Sequence, residues 1–104
     1  HDRSAVSRAY YAAYSIVTGT LISRGVRVAG RHDNPGHQQL ESLLGRASAE
    51  SPRNSNAFYD ARRRLANLRK ARIEADYRPG ATIGSSESRQ AMRDLSRLVA
   101  SLDN

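Results

Sequence analysis

The sequence predicts an all-α protein, an antiparallel up-and-down bundle of four helices in a single domain over residues 1–104. Apolar residues recur at three- and four-residue steps in four separate segments, and no segment shows the alternation of a strand. The connections are mostly short and rich in Gly, Pro and Ser, which favours antiparallel neighbours. A chain of 104 residues can bury one modest core.

The first helix is predicted over residues 4–24, with Gly25 as its C-terminal cap. Residues 25–36 are expected to form a loop, and Asn34 and Pro35 to start a second helix over residues 35–47. Gly36 and Gly45 weaken that second helix. The expected inward residues are Val6, Ala9, Tyr10, Ala13, Val17 and Leu21 in the first helix, and Leu40, Leu43, Leu44 and Ala47 in the second.

The third helix is predicted over about residues 56–77, after the capping residues that end the polar segment SAESPRNSN and before Pro79 and Gly80. Ser85 or Ser86 is expected to cap the fourth helix. Its expected inward residues are Met92, Leu95, Leu98, Val99 and Leu102.

Arg72 stands where the third helix should place an aliphatic side chain. The inward series Phe58, Ala61, Leu65 and Leu68 continues through Arg72 to Ala75. An unpaired buried charge costs several kcal/mol, so Arg72 must find a partner, reach water or line a polar cleft. Asp76 at i+4 and the hydroxyl of Tyr77 are the nearest candidates. A structural ion pair and a functional site both explain the pattern.

Positive charge is concentrated in the third helix. The net charge is +7, from sixteen arginines and one lysine against ten acids, and residues 57–78 carry seven basic and three acidic side chains. This charge favours a polyanionic partner. The candidate nucleic-acid-binding residues are Arg62, Arg63, Arg69, Lys70 and Arg72. The alternative for the run 62–64 is a solvated helix face.

Several classes of protein lack support in the sequence. There is no cysteine, and no apolar run reaches membrane-spanning length. No signal-peptide core is present, so a cytoplasmic location is expected. Phosphate-binding glycine loops, metal-spaced histidine pairs and nucleophile elbows are also missing, so we expect neither a metal nor another cofactor. Metal-free RNA cleavage would use Arg69 and Arg72 to stabilise phosphate charge.

Three segments resemble a known family: SRAYYAAY at residues 7–14, HQQL at 37–40 and LRKARIEADY at 68–77. Together they are similar to the HEPN superfamily, in the branch of small bacterial and archaeal proteins with an Arg-Tyr-Tyr first motif and an Arg-x-x-Ala-Asp-Tyr second motif. The resemblance covers nearly the whole chain. It implies a helical bundle, usually a homodimer, often encoded beside a nucleotidyltransferase that serves as antitoxin. It also implies a further helix before the first motif, so we expect a trimmed chain.

Many members of the family are RNases of toxin-antitoxin, CRISPR or phage-defence systems, and their signature is an arginine followed, after four to six residues, by a histidine. Here Arg69 or Arg72 supplies the arginine, whereas residues 74–79 contain no histidine. The nuclease motif is therefore degenerate. If RNA is cut, we predict that Arg69 and Arg72 stabilise the phosphate charge and that Tyr77 or His37 transfers the proton.

The resemblance also gives supporting roles to residues of the first motif. Arg8 is expected to point towards Arg72 and Asp76, so that Asp76 bridges two arginines, with Tyr11 beside them. Tyr10 and Tyr11 could equally be core rings with solvated hydroxyls. His37 could be a loop or capping residue rather than a catalyst.

Three hypotheses follow. The first is an RNA- or nucleotide-binding component of a bacterial toxin-antitoxin or defence module, whose catalytic variant is a metal-independent endoribonuclease toxin. The second is a non-catalytic module that pairs with a nucleotidyltransferase or with its own copy. The third, a DNA-binding domain, rests only on positive charge, since no helix-turn-helix pattern stands out.

Overall fold

A computed structural model describes residues 1–28 and 36–103. It contains four α-helices, α1 (Asp2–Ser23), α2 (His37–Glu50), α3 (Ser55–Tyr77) and α4 (Ser85–Leu102), and a short 3₁₀ turn at Pro52–Asn54. No strand occurs in these two ranges. The all-α prediction is confirmed, and each predicted helix lies within a few residues of its observed bounds.

The central helix of the bundle is α3, which packs against each of the other three helices. The contacts across each pair come in opposite chain order, so α3 runs antiparallel to all three neighbours. The pairs are Ser7 with Asp76 and Tyr11 with Arg72, Glu41 with Arg69 and Ser48 with Ser55, and Asp60 with Ser101 and Arg64 with Asp94. The bundle is antiparallel around α3, and α1, α2 and α4 therefore all point the same way, opposite to α3.

The inward stripes of α1 and α3 are those that the periodicity predicts. Both helices bury the full predicted series, including Arg72 on α3. In α2 the three predicted leucines are buried, and Ala47 is partly buried against the core. The core residues of α1 include Tyr10, whose ring is fully buried. The core interpretation of Tyr10 is confirmed.

The prediction for α4 is partly wrong. Leu98 and Leu102 are buried as expected, but Met92 is 49% exposed and the buried face also contains Asp94. Asp94 meets Arg64 of α3, with Oδ1 and Nη1 3.1 Å apart. Since a paired carboxylate can be buried, α4 turns Asp94 inward, and Met92, two residues earlier, is carried to the outside.

The ends of two helices differ from the predicted caps. The residue before α4 is Gly84, not a serine, and its N–H donates to the Glu87 carboxylate at 2.9 Å. This backbone hydrogen bond lowers the pKa of Glu87. Asn54 precedes α3 but makes no side-chain cap, because its amide donates to Ser51. The Glu87 side chain therefore caps the start of α4, where the sequence predicted Ser85 or Ser86 as the cap.

The other two predicted caps are those at the end of α1 and the start of α2, on either side of the long connection between them. Gly25 follows α1 with a φ of 80°, the left-handed conformation that glycine adopts at low cost. The predicted roles of Asn34 and Pro35 lie outside the described residues. α2 begins at His37, and the Gln39 side chain accepts the N–H of Gly36 at 3.3 Å.

Gly45 has a packing role that the sequence did not indicate. A Cβ at this position would lie 3.2 Å from Nη1 of Arg62. The guanidinium of Arg62 therefore lies across the backbone of α2 at a point where only hydrogen fits without a shift. Gly45 weakens the isolated helix and leaves room for the Arg62 side chain.

Arg3 ties the start of α1 to the end of α3. Its Nη1 donates to the Ala75 carbonyl at 2.6 Å, and its Nη2 donates to the carbonyl of Ala81. The last carbonyls of a helix have no intrahelical partner, and a cation there also interacts favourably with the helix dipole. Arg3 thus fixes the end of α3 that carries Asp76 and Tyr77.

Candidate functional site

Arg72 is held between α1 and α3 with its side chain only 8% exposed. Its Nη1 donates to the Tyr11 hydroxyl at 3.1 Å and to Oδ2 of Asp76 at 3.4 Å. Its Nε–H finds no acceptor among the described residues, so the guanidinium keeps an unused donor. Ser7 also donates to Asp76, at 3.3 Å, which fixes the carboxylate from α1.

Three tyrosine rings surround this guanidinium. Cζ of Arg72 lies 5.4 Å from the ring centroids of Tyr10 and Tyr11 and 5.3 Å from that of Tyr77, within cation–π range. Burial alone would lower the pKa of Arg72, but the Tyr77 hydroxyl and the nearby Tyr11 and Asp76 outweigh it and raise the pKa. Arg72 therefore stays charged. Tyr77 remains 67% exposed and forms the outer wall of the cluster.

His37, the first residue of α2, lies beside this cluster. Its Nδ1 hydrogen-bonds the Tyr10 hydroxyl. Burial raises the pKa of Tyr10 to about 12, so the phenol keeps its proton. Since the fully buried Tyr10 hydroxyl has no other partner among the described residues, we assign it as the donor. Nδ1 then accepts, and the histidine proton sits on Nε2.

The same surroundings keep His37 neutral. Burial lowers the pKa of His37 below its usual 6.5, and the positive charges of Arg72 and Arg69 act in the same direction, while Glu41 opposes them. At neutral pH the side chain is therefore uncharged, and with Nδ1 occupied by the Tyr10 hydroxyl it offers an N–H donor at Nε2. Below its lowered pKa it would add a positive charge to those of the two arginines.

We expect the stability of the protein to fall as the pH drops below about 6.5, the ordinary histidine pKa. The folded state disfavours protonated His37, so the unfolded chain binds more protons in this range. The stabilisation is complete above the unfolded pKa and is lost as the pH falls through the lower folded pKa. Urea unfolding of the wild type and of His37→Asn at a series of pH values measures the effect.

His37→Asn should flatten the pH dependence of the unfolding free energy, because asparagine keeps an acceptor and does not titrate in this range. The matched control is His1→Asn, which removes an exposed histidine and should leave the slope unchanged. An identical slope in the wild type and His37→Asn would show that another group carries the pH dependence.

Arg69 lies beside Arg72 and His37, one turn before Arg72 on α3, but its guanidinium is already paired. Its Nε lies 2.6 Å from Oε2 of Glu41 on α2, and both side chains are largely buried. His37 and Glu41 are four residues apart and share a face of α2. The four-residue spacing could have placed Glu41 beside His37 from the sequence alone. Its contact with Arg69, however, depends on the register between α2 and α3.

Seven of the described residues line a groove of about 380 Å³, the α2–α3 groove: Gly36, His37, Gln38, Gln39, Arg69, Arg72 and Ile73. It combines two guanidinium groups, the N–H of His37 and the start of α2, where the first N–H groups lack intrahelical partners. Donors and positive potential therefore converge, as an anion requires. Glu41 is paired with Arg69, and an anion would have to displace it there.

The other predicted site residues do not join this groove. Arg8 is exposed and makes no hydrogen bond or ion pair within the described part of the chain, so Asp76 bridges Arg72 and Ser7 rather than two arginines. Arg62 lies over Gly45, and Arg63 lies 3.4 Å from the Asp60 carboxylate. Lys70 is exposed. The predicted nucleic-acid-binding residues thus occupy different faces of α3.

The sequence expectations missed Ser7, Glu41 and the hydrogen bond between Tyr10 and His37.

In the described ranges, no helix is long and apolar enough to cross a membrane. A family model for the HEPN domain matches residues 2–104. Comparisons with curated proteins and with solved structures give no significant match.

Proposed function

This chain belongs to the HEPN domain family, and from that premise we propose that it binds RNA or a nucleotide through the α2–α3 groove. Family membership supports a nucleotide- or RNA-related, nuclease-like module. The observation that carries the proposal is the inward position of Arg72, which shares its groove with His37 of another helix. A phosphate group is the ligand that this set of donors suits best.

Binding is better supported than cleavage. Tyr77 stands five residues after Arg72, where the family signature would place a histidine, and it is exposed. Among the described residues that line the groove, His37 is the only histidine, and its Nδ1 is occupied by Tyr10. With its proton on Nε2, His37 can donate to a phosphate oxygen but cannot accept a proton from a 2′-hydroxyl.

The test exploits the pairing of Arg69 with Glu41. An incoming phosphate competes with Glu41 for the Arg69 guanidinium, and the carboxylate also repels it. We expect Glu41→Gln to tighten the binding of a fluorescent single-stranded RNA by about three- to tenfold, and Arg69→Gln to weaken it by a similar factor. Fluorescence anisotropy at fixed salt measures both, with ATP as a competing nucleotide.

A gain of affinity has the advantage that misfolding does not produce it. The matched control is Glu50→Gln, which removes one exposed carboxylate at the other end of α2 and should change the affinity by less than about twofold. If Glu50→Gln tightens binding as much as Glu41→Gln, only net charge matters and the α2–α3 groove is not the site. The proposal also fails if the wild-type protein binds neither RNA nor ATP.

The second candidate is a metal-independent endoribonuclease, which the closeness of a histidine to Arg72 favours. In that reaction the 2′-oxygen of the RNA attacks the phosphorus and loses its proton, and the 5′-oxygen leaves with a new proton, giving a cyclic phosphate and a 5′-hydroxyl. Arg69 and Arg72 would stabilise the phosphate charge, His37 or Tyr77 would donate the proton that the 5′-oxygen takes, and water would accept the proton of the 2′-hydroxyl. Cleavage of total RNA in EDTA by the wild type, absent in His37→Asn, would support it.

The same proposal includes the wider setting that the family suggests. The protein would act in the cytoplasm as a homodimer, as part of a toxin-antitoxin or defence module, and a nucleotidyltransferase would be encoded beside it. The exposed rings of Tyr11 and Tyr77 lie next to Arg72, so a second copy docked there would bring two sites together. Light scattering gives the mass in solution. A monomer that still binds RNA would remove the dimer from the proposal and leave the groove.

A further inference from the structure

Most of the positive charge that the sequence concentrates on α3 is neutralised in the fold. Five basic residues, on α3 or just after it, lie within 4 Å of a carboxylate. Three of these pairs are local, at 3.3–3.4 Å, and two join α3 to other helices, at 2.6 and 3.1 Å. The pairs are Arg63 with Asp60, Arg64 with Asp94, Arg69 with Glu41, Arg72 with Asp76, and Arg78 with Glu74. α3 therefore offers less free charge to a polyanion than its sequence implies.

The outer face of α4 has the opposite character. Arg89, Arg93 and Arg97 are exposed, and none of them forms an ion pair with a described residue. Arg93 donates to the neutral Gln90 at 2.7 Å. The only carboxylate between residues 88 and 102 is Asp94, which points inward to Arg64. We call these three arginines the α4 ridge.

The spacing of the α4 ridge suits a linear polyanion. Its members follow one another at four-residue steps, so successive guanidinium groups are displaced by about 6 Å along the helix axis. The hydroxyls of Ser88 and Ser96 and the exposed side chain of Met92 lie among them and line a shallow groove of about 400 Å³. Guanidinium and hydroxyl groups are the side chains that most often contact phosphate and sugar.

We propose that the α4 ridge is a second docking surface for RNA, which binds the phosphate backbone of a single strand. This inference rests on the proposed function. A single exposed methionine offers little apolar surface for insertion into a lipid bilayer, and an extended strand presents negative charge at regular steps. Backbone contacts of this kind add affinity without reading sequence.

The experiment compares two triple variants that remove the same charge. Arg89→Gln, Arg93→Gln and Arg97→Gln abolish the ridge. Arg27→Gln, Arg46→Gln and Arg53→Gln remove three exposed arginines outside α4, which lie after α1, in α2 and in the 3₁₀ turn. Affinity for a fluorescent single-stranded oligouridine is measured over a range of salt concentrations. Losing three phosphate contacts should reduce the slope of log affinity against log salt by about 2 and weaken binding more than about tenfold at low salt.

The control triple variant should change the affinity by less than about threefold, through long-range charge alone. Equal losses in the two variants, or no loss in the α4 variant, would overturn the inference. So would a change of mass in light scattering that accompanies the loss, because α4 would then be a subunit interface. A ridge that is needed for anionic phosphatidylglycerol vesicles but not for RNA would assign it to lipid instead.

The two proposals fail separately. If Glu41→Gln tightens RNA binding as expected while the α4 variant matches the wild type, the groove stands and the ridge does not. If the wild type binds no RNA, both fall. If the α4 variant loses affinity while Glu41→Gln has no effect, the ridge binds RNA without the groove.

Discussion

Replacing Asp94 with alanine should lower the unfolding free energy by about 3 kcal/mol, the usual cost of breaking a buried ion pair by removing one partner. Asp94 is 4% exposed and accepts from Nη1 of Arg64 at 3.1 Å. Without it, the longer contact to Asp60, at 3.6 Å, is the only ion pair that the largely buried guanidinium of Arg64 keeps with the described residues. Since small domains are stable by about 5–15 kcal/mol, this is a large fraction of the total.

Urea unfolding followed by circular dichroism measures the loss, and Asp103→Ala serves as the control. Asp103 is an exposed aspartate just after the same helix, and its removal should change stability by less than about 0.5 kcal/mol. Asp94→Asn keeps the shape and tests the charge, so it should fall between the wild type and alanine. If Asp94→Ala is no worse than Asp103→Ala, the pair contributes nothing and the orientation of α4 needs another cause.

A double variant separates the cost of an orphaned charge from the value of the pair. Arg64→Met with Asp94→Leu removes both charges and keeps much of the volume, and such replacements are often neutral or stabilising. We expect the double variant to be more stable than Asp94→Ala alone. That outcome would show that the pair mainly fixes the rotation of α4, and hence the outward position of the α4 ridge.

The elements that could be predicted from the sequence are those governed by local periodicity. The apolar stripes of α1 and α3 follow the helical repeat, and Arg72 is inward because it continues that repeat. In α4 the same reasoning placed Met92 inward, because hydrophobicity alone cannot reveal that Asp94 has a cationic partner thirty residues away. A buried polar residue depends on tertiary register, which the periodicity of one helix does not contain.

The same limit explains which parts of the site were missed. Arg72 and its neighbour Asp76 lie on one helix, so their contact follows from spacing. Glu41 meets Arg69, and Tyr10 meets His37, only because α2 packs on α3 and begins beside α1. Charge counting along α3 overstated its free positive charge for the same reason. Three of the five carboxylate partners lie on α3 itself at visible spacings, and the two that were missed, Glu41 and Asp94, lie on α2 and α4.

Replacing Arg72 separates its structural role from its proposed role in binding. Arg72→Ala should cost about 2–4 kcal/mol of stability, because it empties the space among three tyrosine rings. The orphaned charge is a smaller problem here than at Arg64, since the Asp76 side chain is 31% exposed and can be solvated. Arg72→Met, which refills that space without a charge, should therefore recover most of the lost stability.

Arg72→Met is then the variant that tests the site. If the guanidinium contacts a phosphate, its affinity for single-stranded RNA should fall about 10- to 100-fold, as expected for losing a charge-assisted hydrogen bond, while its urea midpoint stays close to that of the wild type. Arg63→Met on the solvent side of α3 is the control, because Arg63 is an exposed arginine of the same helix, 60% exposed and paired with Asp60. A folded Arg72→Met protein that binds RNA as tightly as Arg63→Met would make Arg72 a purely structural residue. The α2–α3 groove would then have lost the side chain around which it is built.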